Sequence, residues 1–308
     1  MTGNVSGQDQ SLPKVGIDLG GTKIEIIAMD HEGRELLRQR VATPRNDYAA
    51  ILEAIAGLVR RAGQQIGKDF TLGIGTPGAL SIATGTLRNS NSTCLNDMPI
   101  REDLERLLGR PLRMANDANC LALSEALDGA GRGASVVFGV IVGTGCGGGI
   151  VVDGKVLTGP NAIAGEWGHN PLPWPDTGER PGPACYCGRR GCIETYLSAP
   201  GMTRDHEEKA GRRLRPETIV QRALQGHEEC EATVARYEER MARSLAHVIN
   251  ILDPDVIVLG GGMSNIKRLY DSVPRLWGRY VFSDSVDTRL VPARHGDSSG
   301  VRGAAWLW

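Results

Sequence analysis

The sequence predicts an α/β fold built from two similar halves. Three observations carry that expectation. Short apolar runs alternate with longer segments in which apolar residues recur at steps of three and four. Two apolar runs turn through glycines straight into a second apolar run, at 14–30 and again at 135–156. Glycine is also abundant, 41 residues where average usage gives about half that. The glycines cluster at the ends of apolar runs, as tight turns and close approach of backbone to a ligand require.

The elements follow in order. Residues 1–12 are polar and read as a flexible tail. "KVGIDL" (14–19), "GGTK" (20–23) and "IEIIAMD" (24–30) read as strand, turn and strand, and "ELLRQRVATP" (35–44) as a third strand ended by Pro44. Tyr48, Ile51, Leu52, Ile55, Leu58, Val59, Ala62 and Ile66 then mark an amphipathic helix, with Asn46 as its N-cap. "FTLGIGTPG" (70–78) returns to strand, and "LRMANDANCLALSEALDGAG" (112–131) is a strand tip followed by a helix. "SVVFGVIVGTGCGGGIVVDGKV" (135–156) repeats the opening theme of strand, glycine turn and strand. Residues 158–195, rich in Gly, Pro and Cys, read as an ordered loop region. A long helix spans 228–252, "DVIVLGGG" (255–262) is a buried strand running into glycines, and 298–308 closes the chain as a helix or a strand.

The 308 residues suffice for two ordinary domains or one large one. Hydrophobic residues at 41% and charged residues at 23% match soluble globular proteins, not disordered ones. A formal net charge of −1 gives no general pull toward nucleic acid or an anionic membrane, and neither is expected as a partner. The first residues lack the basic start and apolar run of a secretory signal, and no stretch approaches a membrane span of about 18–20 apolar residues. A cytoplasmic, reducing location is therefore expected. There, seven cysteines, an odd count, read as thiols or metal ligands rather than as a disulfide framework.

Four glycine turns follow apolar strands: "DLGGTK" (18–23), "GIGTPG" (73–78), "VGTGCGGG" (142–149) and "LGGG" (259–262). One alone is a plain tight turn; four together point to backbone N–H groups that cradle phosphate. The P-loop pattern is absent. Gly143 to Gly148 match G-x-G-x-x-G, but the β-branched run that follows is a strand, whereas a dinucleotide fingerprint opens a helix. A phosphate clamp made from two β-hairpins remains. In "ANDAN" (115–119), Asn116, Asp117 and Asn119 could cap a helix, yet three polar residues in four exceed what a cap needs. Asp117, at a strand end, is a candidate general base. Cys185, Cys187 and Cys192 lack the C-x-x-C redox spacing; with His169 they form a closed set of four N and S ligands, as in a structural zinc site. Cys94, Cys120, Cys146 and Cys230 show no such clustering.

"GIDLGGTK", "GTPG", "ANDAN", "GTGCGGG", "GEWGH" and "CYCGRRGCIET", in that order, resemble the ROK family of sugar kinases and repressors. The resemblance implies an actin-like, ribonuclease-H-like fold, two α/β domains around a central cleft. It implies a small domain at 13–117, rejoined by 297–308, and a large domain at 118–296 that carries the zinc loop. It implies transfer of the γ-phosphoryl of ATP to a hexose, with magnesium near Asp18. Asp18, Gly20, Gly21, Thr22, Lys23, Gly143, Thr144, Gly145, Gly147 and Gly148 would hold the nucleotide. Asp117 would be the base. Gly78, Asn116, Asp117, Glu166, His169 and Glu194 would bind the sugar, and His169, Cys185, Cys187 and Cys192 the zinc. Only 17 residues precede Asp18, too few for the helix-turn-helix of the family's repressors, so a kinase is expected. "NSNSTCLND", "GHNPLPW", "SLAHVINILDPDVIVLGGGMSN" and "HGDSSGVRGAAWLW" resemble bacterial fructokinases of the manno(fructo)kinase type. That implies fructose phosphorylated at O6, with mannose as a second substrate; glucose and N-acetylhexosamine kinases are the alternatives. A homodimer is implied by the family alone.

Overall fold

The structure is a computed structural model describing residues 12–90 and 92–308. The expected tail, except for Leu12, lies outside the described residues.

Strands β1 (Lys14–Leu19), β2 (Lys23–Met29) and β3 (Glu35–Ala42) form an antiparallel meander, as the first glycine turn required. Helix α1 (Tyr48–Ile66) buries Ile51, Ile55, Leu58, Val59 and Ala62 against them. Its cap differs from the expected one. Asn46 takes a left-handed φ of 52°, which Asn tolerates better than most residues. The cap passes to Asp47, whose carboxylate accepts the Ala50 N–H at 3.0 Å. Strand β4 (Thr71–Thr76) runs parallel to β1 and is buried throughout. After a small ribbon of β5 (Ala79–Leu80) and β6 (Leu87–Arg88) and helix α2 (Ile100–Leu108), β7 (Arg113–Asn116) joins parallel to β4. The sheet order is β3-β2-β1-β4-β7.

Helix α3 (Asp117–Leu127) crosses to a second sheet. There β8 (Val136–Val142), β9 (Cys146–Val152) and β10 (Lys155–Val156) form another antiparallel meander. The long loop leads to α4 (Glu194–Leu197), α5 (Ala199–Ala210), α6 (Pro216–Leu224) and α7 (Glu228–Leu252). Strand β11 (Val256–Gly260), helix α8 (Leu269–Trp277) and strand β12 (Arg289–Pro292) follow. Both added strands are parallel to β8, giving the order β10-β9-β8-β11-β12. Each sheet is thus a three-stranded meander extended by two parallel strands. This repeated plan, with helices on the faces, is the actin-like, ribonuclease-H-like fold.

Two main cores result. Ile17, Ile26, Leu58 and Ile74 share one; Val140, Met241, Leu245, Leu259 and Trp277 share the other. The chain end resolves as helix α9 (Ser299–Ala305), which returns to β1 and β4 and packs on α3. Its approach leaves no room for side chains. A Cβ on Gly16 would lie 2.2 Å from the Val301 carbonyl oxygen, one on Gly73 1.9 Å from that of Ala304, and one on Gly303 1.7 Å from that of Cys120. The Arg302 guanidinium joins Asp128 to the Gly33 carbonyl and so ties the α3 end to the first sheet. On these contacts we propose the division 13–117 with 297–308, and 118–296. Among the described residues no helix is long and apolar enough to cross a membrane.

Candidate active site

A cavity of about 240 Å³ lies where the two halves meet. Asp18, Gly20 and Gly21 line it from the first glycine turn, Asp117 from the start of α3, and Gly261, Asp297 and Gly300 from the second half and the returning helix. A wider open hollow of about 850 Å³ near Asn250, Phe282 and Arg289 contains none of the candidate residues.

Asp18 sits near the end of β1, opposite Gly75 of β4, and the α9 backbone closes over it at Gly300. Burial, then the neighbouring Asp117 and Glu25 carboxylates, push its carboxyl up to about 6. Asp117 is positioned by its neighbour. The Asn116 side chain accepts the Asn119 N–H at 2.8 Å and caps α3, which leaves Asp117 as first helical residue. Asp117 accepts the Ala118 N–H at 2.8 Å and opens onto the cavity. The surrounding walls raise its carboxyl above the ordinary range; the Ala118 N–H opposes this and Glu166 adds to it. Glu166 is raised in turn by burial and by Glu194, with His169 opposing. Asp18, Asp117, Glu166 and Glu194 therefore form a row of carboxylates, each felt by the next. Such a row suits a ligand with several hydroxyls and a cation at one end. Gly78 holds a φ of +79°, and a Cβ there would lie 2.2 Å from the Arg88 carbonyl oxygen, so the turn after β4 admits only glycine.

The first turn is closed by Gly20 N–H to the Lys23 carbonyl at 3.0 Å and braced from just past β3 by Thr43 Oγ1, which donates to the Gly20 carbonyl at 2.7 Å. Gly20 and Gly21 reach the cavity, but Thr22 and Lys23 do not line it. The Lys23 ammonium instead lies 3.7 Å from Glu25, a buried carboxylate that also takes Arg38 and Arg40. The second turn is Gly143, Thr144 and Gly145, closed by Gly143 N–H to the Gly145 carbonyl at 2.9 Å. It abuts Gly261, whose φ is +83° and where a Cβ would lie 2.4 Å from the Val142 carbonyl oxygen. Gly147 and Gly148 follow the turn and also have a packing role. They are strand residues of β9. Trp167 Nε1 donates to the Gly147 carbonyl at 3.0 Å, and the bareness of Gly148 admits Trp167 and Gly165, since a Cβ there would lie 2.8 Å from the Gly165 carbonyl oxygen.

Among the described residues, the one cluster of three or more His, Cys, Asp or Glu side chains able to share a metal ion is His169, Cys185, Cys187 and Cys192, whose ligand atoms all lie within 4.8 Å of one another. Cys185 Sγ is 3.5 Å from His169 Nδ1, and Cys187 Sγ is 3.6 Å from Cys192 Sγ. A tetrahedral zinc with Zn–S near 2.3 Å places its ligands about 3.5–3.8 Å apart, so the set fits that ion. His169 Nε2 meets the Tyr186 hydroxyl at 2.9 Å, an outer partner able to fix the ring. The loop is fastened to α7: Arg243 donates to the Trp174 carbonyl at 2.5 Å and to Glu179 at 3.0 Å, and Arg240 donates to Glu179 at 2.7 Å.

Sequence reasoning missed Asp297 and Gly300, although "HGDSSGVRG" carried their glycines and carboxylate. It also missed Glu125, wholly buried, which accepts the Ala130 N–H at 2.7 Å, the Arg294 N–H at 3.0 Å and the Ser299 hydroxyl at 2.8 Å. That carboxylate holds the segment leading into α9, and no local pattern announces it.

The chain is 41% identical over 296 residues to an N-acetyl-D-glucosamine kinase of Vibrio cholerae, covering 95% of this chain and 98% of that one. Its structure is similar to the crystal structure of a ROK hexokinase from Thermus thermophilus, with a TM-score of 0.86 and 34% identity over 96% of this chain and 97% of that one. It also resembles a ROK glucokinase from Streptomyces griseus in complex with glucose and AMPPNP, with a TM-score of 0.76 and 28% identity over 96% and 98% of the two chains. A model of the ROK family matches residues 14–308, and the chain belongs to that family.

Proposed function

We propose that the protein is an ATP-dependent hexose kinase that transfers the γ-phosphoryl group of ATP to the 6-hydroxyl of N-acetyl-D-glucosamine. The observation that carries this reading is Asp117, a carboxylate with a raised proton affinity that opens onto a cavity shared with Asp18 and the first glycine turn. Phosphoryl transfer asks for alignment and charge stabilisation more than for covalent help. Asp117 accepts the proton of the sugar hydroxyl as its oxygen bonds to the γ-phosphorus and ADP leaves. In the two turns the Gly20 and Gly143 N–H groups close the turn itself, so the N–H groups of Gly21, Thr22, Thr144 and Gly145 are the ones that would receive the phosphates. Magnesium, when bound with ATP, neutralises phosphate charge, and Asp18 is the residue that would hold it. Gly78, Asn116, Glu166 and Glu194 would surround the sugar, and His169 Nε2 would reach it in place of its bond to the Tyr186 hydroxyl.

For the sugar itself, the Vibrio relative, alike over nearly the whole chain, is named for N-acetyl-D-glucosamine. That supports the N-acetylhexosamine alternative above fructose, which the sequence motifs suggested. An ADP-release assay over N-acetylglucosamine, N-acetylmannosamine, glucose, fructose and mannose tests the choice. N-acetylglucosamine is expected to have the highest kcat/KM; preferred turnover of fructose would reverse the assignment.

His169, Cys185, Cys187 and Cys192 would hold one zinc per chain, whose contribution is to fix the loop carrying His169 and Glu194. Cys192→Ala is expected to lower zinc content and to raise the sugar KM at least ~10-fold, the range seen when a metal's surroundings are disturbed. Elemental analysis that finds active protein without zinc would refute the site.

A further inference from the structure

We propose that Glu194 has a second task, which rests on the kinase reading: it holds the second glycine turn in shape, so that sugar and nucleotide bind interdependently. The Cys146 backbone N–H, at the end of that turn, donates to Glu194 Oε2 at 2.9 Å. A Cβ on Gly145 would lie 2.8 Å from the same oxygen, so the turn is glycine where the carboxylate presses on it. A second bond grips the turn's other end: the Ala199 N–H donates to the Gly143 carbonyl at 2.7 Å. Glu194 begins α4 and Ala199 begins α5, so one short helical corner clamps the turn at both ends. The other oxygen of Glu194 takes no hydrogen bond from a described residue, which leaves it able to accept one from a ligand.

A carboxylate placed this way cannot serve one ligand without the other. A sugar hydroxyl on Oε1 fixes the side chain and thereby the Cys146 N–H; phosphates on the turn fix Cys146 and thereby the carboxylate. Such coupling is reciprocal by thermodynamic necessity. A hydrogen bond to a charged acceptor sets its size, about tenfold in affinity.

Calorimetry of Mg-ADP binding to the full chain, with no sugar present, tests the inference. Glu194→Ala is expected to weaken Mg-ADP about tenfold. Glu194→Gln, whose amide carbonyl still accepts from Cys146, is expected to stay within about threefold of the parent by the same bond. Glu194→Ala that binds Mg-ADP like the parent while its sugar KM rises would overturn the inference and leave Glu194 a sugar ligand alone. Should that variant not fold, Gly145→Ala serves from the other side. Its Cβ displaces the carboxylate, so the sugar KM rises several-fold although the change lies in the phosphate turn; an unchanged sugar KM overturns the inference. A parent protein that binds no Mg-ADP at all would remove the kinase reading beneath it.

Discussion

Replacing Asp117 by alanine is expected to lower kcat by about 10²–10⁴-fold, the contribution of a positioned general base. The fold should survive. Asn116, not Asp117, caps α3, and alanine suits the first turn of a helix. The one protein bond lost is to the adjacent Ala118 N–H. Asp117→Asn sharpens the test, because an amide keeps the shape and that bond but cannot take the sugar's proton. Both variants should lose kcat and leave the sugar KM within a few-fold. Because walls and Glu166 raise the Asp117 carboxyl, the acid limb of kcat/KM for the parent should lie above the ordinary carboxylate range. Near-normal turnover in either variant, with melting unchanged, would remove Asp117 as the base.

Asp18→Asn is expected to lose turnover at least ~10²-fold while making the metal-free protein more stable at pH 8. The sign follows from its carboxyl being pushed up to about 6, above the ordinary 3.8. Below 3.8 the group is protonated both folded and unfolded, and its burial costs nothing extra. As pH rises through about 6 the folded state must release a proton it holds more tightly than the unfolded chain does, and stability falls. Two pKa units correspond to about 3 kcal/mol at most, and partial exposure to the cleft brings the expected gain to about 1–3 kcal/mol. Thermal melts at pH 4 and pH 8 read it out. The asparagine variant should gain at pH 8 and match the parent at pH 4. A variant less stable than the parent at pH 8 would contradict the account of a functional carboxylate held at a cost to stability.

Much of this was legible in the chain because it is locally encoded. The two hairpins declare themselves through apolar runs broken by glycine, and the helix at 228–252 through its period. The structure also brings together the four thiol and imidazole ligands that spacing suggested. What the sequence hides is tertiary. The chain end reads as helix or strand because Gly300 and Gly303 are poor helix formers; it is a helix because bare backbone is what fits against Gly16, Gly73 and Cys120. Gly148 looks like a phosphate-turn residue, and only the packing of Trp167 and Gly165 reveals another reason for it. Lys23 sits 3.7 Å from the buried Glu25, a pairing that the turn motif does not announce. The turn at Asn46 displaced the cap by one residue, an effect of backbone conformation that composition cannot register. The choice among hexoses is subtler still, since it depends on pocket shape around a shared set of carboxylates rather than on any motif.

On the proposed function, the cleft moves a phosphoryl group from ATP to a hexose hydroxyl and to nothing else. Phosphorus NMR of the protein with Mg-ATP and N-acetyl-D-glucosamine measures that directly. Loss of the γ-phosphate signal is expected to be matched by one sugar 6-phosphate monoester and by ADP. Release of inorganic phosphate in place of the sugar ester, or an unchanged ATP spectrum with every hexose supplied, would contradict it.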